Sequence, residues 1–389
     1  MRLLHTSDWH LGQRFNNHER VEEHALALDW VLQTVADQQV DILVVAGDIF
    51  DTFNPSNNAQ QLYYNFLVRL SQTNCQHAVI IGGNHDSPSM LEAPKELLKV
   101  LKVHVVGAAP ENNEEAVLRL KNNHGEPLAT VAAIPFLRDR DLVFAKEEES
   151  GLERVDKIRQ AIKMHFEVMG KACTANQVEN IPVIGTGHLF AYGAKTEEKQ
   201  NNIYIGDEAN IRIEDIPEAF HYVALGHIHR PQAIGNKEHV RYCGSIIPLD
   251  FSEVADPKEV VIVDFEGNKL INIQRLNIPV FRRLKSIKDN VDNVKERLVE
   301  FAQRHENELT PWVEVIIEDD TIPVDVDKEI RSLAAELHLE VLRVKLSKQN
   351  FEAKGLDASM VDLSDIDILE VFEKKCERAA IPSDQFKKL

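Results

Sequence analysis

Cysteine is scarce in this chain, and the few present are scattered. Cys75, Cys173, Cys243 and Cys376 occur among 389 residues with no close pair, which excludes a cysteine-clamped zinc site or a Cys-x-x-Cys redox motif and reads as reduced thiols in a cytoplasmic protein. Long apolar runs are missing as well. The N-terminus turns polar within the first few residues, leaving no room for the core of a signal peptide, and no later stretch approaches the length of a membrane span. Nor is there a Gly-x-x-x-x-Gly-Lys-Ser/Thr loop, so any dependence on ATP has to come from another chain. Positive charge is in deficit: 44 Lys and Arg against 63 Asp and Glu give a formal net charge of −19. Repulsion on that scale argues against nonspecific binding of a polyanion, unless bound cations, a basic groove or a partner supply positive charge locally.

What is present is an ordinary globular composition, 43% apolar and 28% charged, spread over a chain too long for one hydrophobic core. Five short apolar runs each end in glycine or a polar cluster: residues 3–4 lead to Asp8, 41–46 to Asp48, 78–81 to Asn84, 182–184 to His188 and 222–225 to His227. Such runs read as buried strands whose ends emerge at one edge. Between the first three lie helical patterns, one carrying Val21, Leu28, Val31, Leu32 and Val35 and another Tyr63, Phe66, Leu67 and Leu70. The first third is therefore βαβαβ. Further on, the spacing predicts a strand near 128–134, an amphipathic helix near 154–169 with Ile158, Ile162, Phe166 and Met169 on one face, and strands near 240–242, 260–265 and 270–274. The expected fold is α/β, two packed sheets flanked by helices over residues 1–278.

From about Pro279 a second α/β unit is expected, covering 279–347: strands at 281–284, 312–317 and 340–346 alternate with helices at 293–303 and 328–337. Residues 348–389 follow as a polar tether. Within it, Ser364 and Asp367 resemble a capping box opening a helix whose apolar face holds Ile368, Leu369, Val371, Phe372 and Cys376. Such a helix either docks on its own domain or binds another chain.

The chemistry-bearing residues are Asp8, His10, Asp48, Asn84, His188, His227 and His229. A lone Asp-x-His is usually incidental, and a single buried histidine is usually a satisfied core residue. Five strand ends that all finish in Asp, Asn or His are a different matter. In extended chain, positions i and i+2 point the same way, so Asp8 and His10 can face one ion. Seven ligands are too many for one tetrahedral ion but suit two ions sharing a carboxylate, with Asp48 as the natural bridge. Mixed oxygen and nitrogen ligation fits manganese, iron or zinc. His85, next to Asn84, is placed to act on substrate as an acid or charge stabiliser. Asp86 either orients that ring or is a turn residue, and Arg138 and Arg140 either meet phosphate or pair with neighbouring aspartates.

In order, these clusters read Asp-x-His, Gly-Asp-x-x-Asp, Gly-Asn-His-Asp, Gly-His and Gly-His-x-His, a series that resembles the calcineurin-like metallophosphoesterase superfamily. Residues 5–12 (His-Thr-Ser-Asp-Trp-His-Leu-Gly), 47–51 (Gly-Asp-Ile-Phe-Asp), 134–138 (Ile-Pro-Phe-Leu-Arg), 224–229 (Ala-Leu-Gly-His-Ile-His) and 242–245 (Tyr-Cys-Gly-Ser) resemble more narrowly its bacterial SbcD-type nuclease subunits. The resemblance implies an αββα sandwich with one metal on Asp8, His10, Asp48 and His229, a second on Asp48, Asn84, His188 and His227, and His85 as the catalytic histidine. It also implies two divalent ions, expected to be Mn²⁺, and exonuclease and endonuclease activity on DNA ends and hairpins. The implied assembly is a homodimer, joined through helices near 59–70 and 91–101, within a heterotetramer with an SbcC-type coiled-coil ATPase. Residues 279–347 would then cap duplex DNA, and Ile368, Leu369 and Phe372 would grip the partner. Two rivals share the metal core: a phosphodiesterase or phosphatase of small molecules or phosphoproteins, and a noncatalytic adaptor. The added α/β unit and tethered helix speak against the first, and the full ligand set against the second.

Overall fold

A run such as Ile42–Ala46 is apolar at every position, and a strand of that kind is stable only when both of its faces are covered. The computed structural model describes residues 1–138, 141, 142, 151–175, 178–191, 194, 211–303, 309–319 and 325–346. It divides into two compact units, Met1–Pro279 and a second beginning at Val280. In the first unit, Ile42, Val44 and Ala46 pack into the shared core with residues of a second sheet, while Leu43 and Val45, pointing the other way, are equally buried.

The first sheet runs in the order Lys269–Asn277, Glu259–Glu266, Arg2–Thr6, Ile42–Ala46, His77–Ile81, Val103–Val106. Its last four strands are parallel, and the first two are antiparallel additions. The second sheet runs Gln232–Ile234, Lys237–Tyr242, Tyr222–Gly226, Val183–His188, Pro127–Ala132, Val117–Lys121, parallel in its middle four and antiparallel at both margins. Registers pair Ala46 with Ile81 and Gly226 with His188, so neighbouring parallel strands stop together. Ligands gather at the carboxyl ends of such strands in open α/β sheets.

The helix expected near 154–169 extends over Gly151–Thr174 and buries Ile158, Ile162, Phe166 and Met169. Tyr63 and Phe66, open between core and interface in the sequence, belong to the core: Tyr63 lies edge-on to Phe50, and Phe66 to Trp9. The hairpin Arg14–Phe15 with His18–Glu19 turns through Asn16 and Asn17, both at positive φ. Two-residue strands leave no periodic signal, so the adjacent Asn16 and Asn17, which tolerate the left-handed turn, are the local sign of this element.

The second unit has a parallel three-stranded sheet, Leu284–Asp289, Trp312–Ile317 and Glu340–Leu346, with helices Val291–Ala302 and Val326–Glu336 and its own core around Val294, Leu298, Val313, Val315, Ile330 and Val344. Its first strand starts where the expected one (281–284) ends. This edge strand carries Lys285, Ser286 and Lys288, and an edge strand tolerates such charge, which hides it from an apolar pattern. Ser364, Asp367, Ile368, Leu369, Phe372, Cys376 and Arg140 lie outside the described residues. Cys75, Cys173 and Cys243 are free thiols. Among the described residues, no helix is long and apolar enough to cross a membrane.

One polar tie crosses the core. His5, fully buried in the first sheet, accepts through Nδ1 from the Tyr222 hydroxyl (3.0 Å) and donates through Nε2 to the Leu225 carbonyl (3.2 Å) in the second. Burial, with Arg241 adding to it, pushes this imidazole down to about 3 against the opposing Leu225 carbonyl. The unfolded chain titrates this group near pH 6.5 and binds the extra proton between there and about 3. The stability from keeping it neutral is therefore complete above 6.5 and drains away as pH falls, by roughly 1.4 kcal/mol per pH unit. Urea unfolding of wild type and His5→Gln between pH 7 and 4.5 should show the steeper acid loss in wild type; parallel slopes would exclude this role.

Candidate metal centre

The loops after Arg2–Thr6 and Ile42–Ala46 are zipped together by main-chain hydrogen bonds, Asp8 N to Gly47 O (3.0 Å), His10 N to Asp48 O (3.0 Å) and Leu11 N to Ile49 O (2.9 Å). This clamp holds Asp8, His10 and Asp48 at φ of 51°, 45° and 49°, while His227 sits at 101°. Non-glycine residues in that region cost of order 1–3 kcal/mol each and persist only where the surroundings over-determine them. The expectation of an extended Asp8-Trp9-His10 is corrected accordingly: the pair is left-handed at both ends, yet its side chains still converge. Glycine at 83 and 226 has a steric cause. A Cβ on Gly83 would lie 2.1 Å from Asp48 Oδ1, and one on Gly226 1.9 Å from the Ala46 carbonyl oxygen.

The seven side chains named from the sequence fall into one cluster with two lobes. Potential ligand atoms of Asp8, His10 and His229 lie within 4.8 Å of one another, as do those of Asp48, His188 and His227. Asp48 adjoins both lobes: its Oδ2 is 3.4 Å from His10 Nε2 and 3.2 Å from His188 Nε2. Asn84 Oδ1 lies 3.0 Å from His188 Nε2 and 3.1 Å from His227 Nδ1. Asp8 Oδ1 accepts from His227 N, and Asp48 Oδ1 from His85 N, both at 2.9 Å.

Tautomers decide what these groups offer. His188 donates Nδ1–H to the Ala46 carbonyl (2.8 Å), so its Nε2 is turned to the oxygens of Asp48 and Asn84 at 3.2 and 3.0 Å. Those two acceptors demand positive charge on or beside that nitrogen, a proton in the metal-free chain or a cation that replaces it. His10 spends Nδ1 on Asp51 Oδ1 (3.1 Å) and His229 spends Nδ1 on Glu253 Oε1 (2.8 Å). The Nε2 atoms of His10 and His227 are buried without a hydrogen-bond partner among the described residues. Electrostatics agree. Burial would lower His10, but Asp51, Asp48 and Asp8 raise it to about 9. His188 rises to about 9 in the same way under Asp48 and Asp8. Burial would raise Asp48, yet His188, His10 and His85 hold it well below the usual carboxylate range. The cavity calls for positive charge, and the donor set of imidazole, carboxylate and amide oxygen fits divalent transition ions.

His85, half-buried, donates Nδ1–H to the Asp51 carbonyl oxygen (2.8 Å), which leaves Nε2 for proton exchange, and its ring meets His10 edge-on at 4.9 Å. Asp86 does not orient that ring. It is fully buried and accepts from the amides of Gly83, Ile49 and Phe50 at 2.8, 3.1 and 2.9 Å, tying the Asn84 loop to the Asp48 loop. Burial, then Asp48, raise its carboxyl to about 6. Arg138 donates to the carbonyl oxygens of Asp86 (2.9 Å) and Gly83 (3.3 Å) and so braces the same loop. The sequence pattern assigns no role to Ser7, whose hydroxyl donates to Asp8 Oδ2, nor to Asp51, Glu253 or Lys258. Asp51 has a signal, its place in the Gly-Asp-x-x-Asp run; Glu253, in the short 3-10 helix Phe251–Ala255, has none.

The chain belongs to the calcineurin-like phosphoesterase family, whose profile matches residues 1–231, and it is a metal-dependent phosphodiesterase of that family. Residues 280–379 match a second family, described as the type 5 capsule protein repressor C-terminal domain. Similarity to individual proteins runs the full length. The chain is 36% identical over 390 residues to the SbcD subunit of the nuclease SbcCD from Escherichia coli strain K12, covering 100% of this chain and 96% of that one. The Bacillus subtilis protein of the same name is 30% identical over 403 residues, at 100% and 96% coverage. That of Rhodobacter capsulatus is 35% identical over 276 residues, at 69% and 67%.

Proposed function

We propose that this chain is the nuclease subunit of a complex with an SbcC-type coiled-coil ATPase, cutting DNA at double-strand ends and hairpins with two Mn²⁺ ions. The observation that carries this reading is the two-lobed convergence of potential ligand atoms about Asp48, in a chain alike over its whole length to nuclease subunits. One ion is assigned to Asp8, His10, Asp48 and His229, and the other to Asp48, Asn84, His188 and His227. Paired ions in such a cage supply an activated water and charge stabilisation for both the attacking and leaving oxygens. The protein's own part is to hold the cage. Ser7, Asp51, Ala46 and Glu253 fix the orientation of Asp8, His10, His188 and His229. His85, its tautomer set by Asp51, stabilises charge on the phosphate or hands a proton to the leaving oxygen.

Residues 279–347 are assigned to capping duplex DNA, and residues 348–389, with Ile368, Leu369 and Phe372, to gripping the partner. Self-association into a homodimer is supported by Val68, Leu97 and Val100, exposed at 50%, 70% and 78% on Asn57–Leu70 and Lys95–Val100; on this reading the homodimer joins the ATPase in a heterotetramer. The reading places the assembly in the cytoplasm, at the nucleoid. Phosphatase action on small molecules or phosphoproteins is disfavoured by the match of residues 280–379 and by the full-length likeness.

The test is hydrolysis of labelled linear duplex and hairpin DNA with Mn²⁺, by the chain alone and with an SbcC-type partner and ATP. Metal-dependent cleavage, raised by partner and ATP, is the expected result. Hydrolysis of only a small phosphodiester under every condition would overturn the nuclease reading.

A further inference from the structure

The ring partners of the four clustered histidines are not alike. His188 leans on a main-chain carbonyl, His227 on the Asn84 amide, and His10 on the side chain of Asp51, three residues beyond Asp48. His229 alone is met by a buried ion pair drawn from well downstream. Glu253 and Lys258 are 4% and 7% exposed and pair at 2.7 Å. The Lys258 ammonium donates to Glu253 Oε2 (2.7 Å), to Ser245 Oγ (2.8 Å) and to the main-chain carbonyl of His229 itself (3.1 Å). Leu249 N also donates to Oε2 (3.0 Å). Oε1 is turned to His229 Nδ1 at 2.8 Å. One ion pair therefore holds both the ring and the backbone of a single histidine.

Burying two charges is expensive, and such pairs are poor sources of stability compared with apolar residues of similar size. Orientation explains the arrangement better. A carboxylate accepting the far N–H of an imidazole fixes its tautomer and rotation and raises the basicity of the other nitrogen. The lysine neutralises the carboxylate and locks it in place. Among the described hydrogen bonds and ion pairs, neither residue touches Asp48, Asn84, His188 or His227.

We propose that Glu253, locked by Lys258, is the positioning residue for His229 and sets the affinity of one of the two metal positions, that of Asp8, His10, Asp48 and His229, without affecting the other. This rests on the ligand assignment made above.

The experiment is calorimetric titration of the metal-free full chain with Mn²⁺, for wild type, Glu253→Gln, Glu253→Asp and His229→Ala. Wild type is expected to bind two ions, and His229→Ala to lose one. Glu253→Gln removes the charge but keeps an acceptor oxygen, and should weaken one site about 10- to 100-fold while leaving the other unchanged. Glu253→Asp keeps the charge for Lys258 but withdraws the oxygen from His229, so it should show the same one-sided loss in a chain that retains its buried pair. Unchanged affinities in both Glu253 variants, or equal weakening of both sites, overturn the positioning role. If His229→Ala removes no site, the ligand assignment itself has failed, which is a separate result.

Discussion

Replacing Asp48 with alanine is expected to lower Mn²⁺-dependent hydrolysis of duplex DNA by about a thousandfold or more. Its Oδ2 lies within 3.4 Å of a histidine of each lobe, and its Oδ1 anchors the amide of His85. On the proposed assignment, removing it strips a ligand from both ions and frees the loop that carries the proposed catalytic histidine. Charge stabilisation by metal contributes several kcal/mol to such reactions, and each 1.36 kcal/mol is tenfold in rate. The measurement is the initial rate on a labelled duplex at saturating Mn²⁺, and a loss below about tenfold would be incompatible with a shared bridging carboxylate.

His85→Ala should separate chemistry from metal binding. A positioned acid or base contributes about 10²- to 10⁴-fold, and a loss in that range is expected for hydrolysis. Both Mn²⁺ affinities should stay as in wild type, because the imidazole is engaged by the Asp51 carbonyl and belongs to neither of the proposed ligand sets, although it lies beside His10 and Asp51. Rates and calorimetric titrations on the same preparation decide it. An unchanged rate would sink the assigned role, and a lost metal site would recast His85 as a ligand.

The core sheets and the clustered side chains are legible in the sequence because one device repeats: an apolar strand, a glycine or sharp turn, then Asp, Asn or His. Gly83 and Gly226 show why the glycine recurs, since neighbouring strand ends approach too closely for a Cβ. What stays hidden lacks any repeating device. Glu253 reaches His229 from a five-residue 3-10 helix 24 positions downstream, and no periodicity links the two. The left-handed turns at Asp8, His10 and Asp48 escape notice for a related reason. They are imposed by hydrogen bonds between two loops, a tertiary cause with no local signature. The edge strand Leu284–Asp289 escapes correct placement because its exposed positions carry lysine and serine rather than an apolar alternation.

The central claim, two ions sharing Asp48, is tested most directly by electron paramagnetic resonance of the Mn²⁺-loaded chain with the metal counted in the same sample. Two Mn²⁺ per chain with an exchange-coupled spectrum, as expected for ions roughly 3.5 to 4 Å apart, and loss of that coupling in Asp48→Ala, is the expected result. One ion per chain, or two ions with independent signals, would contradict it.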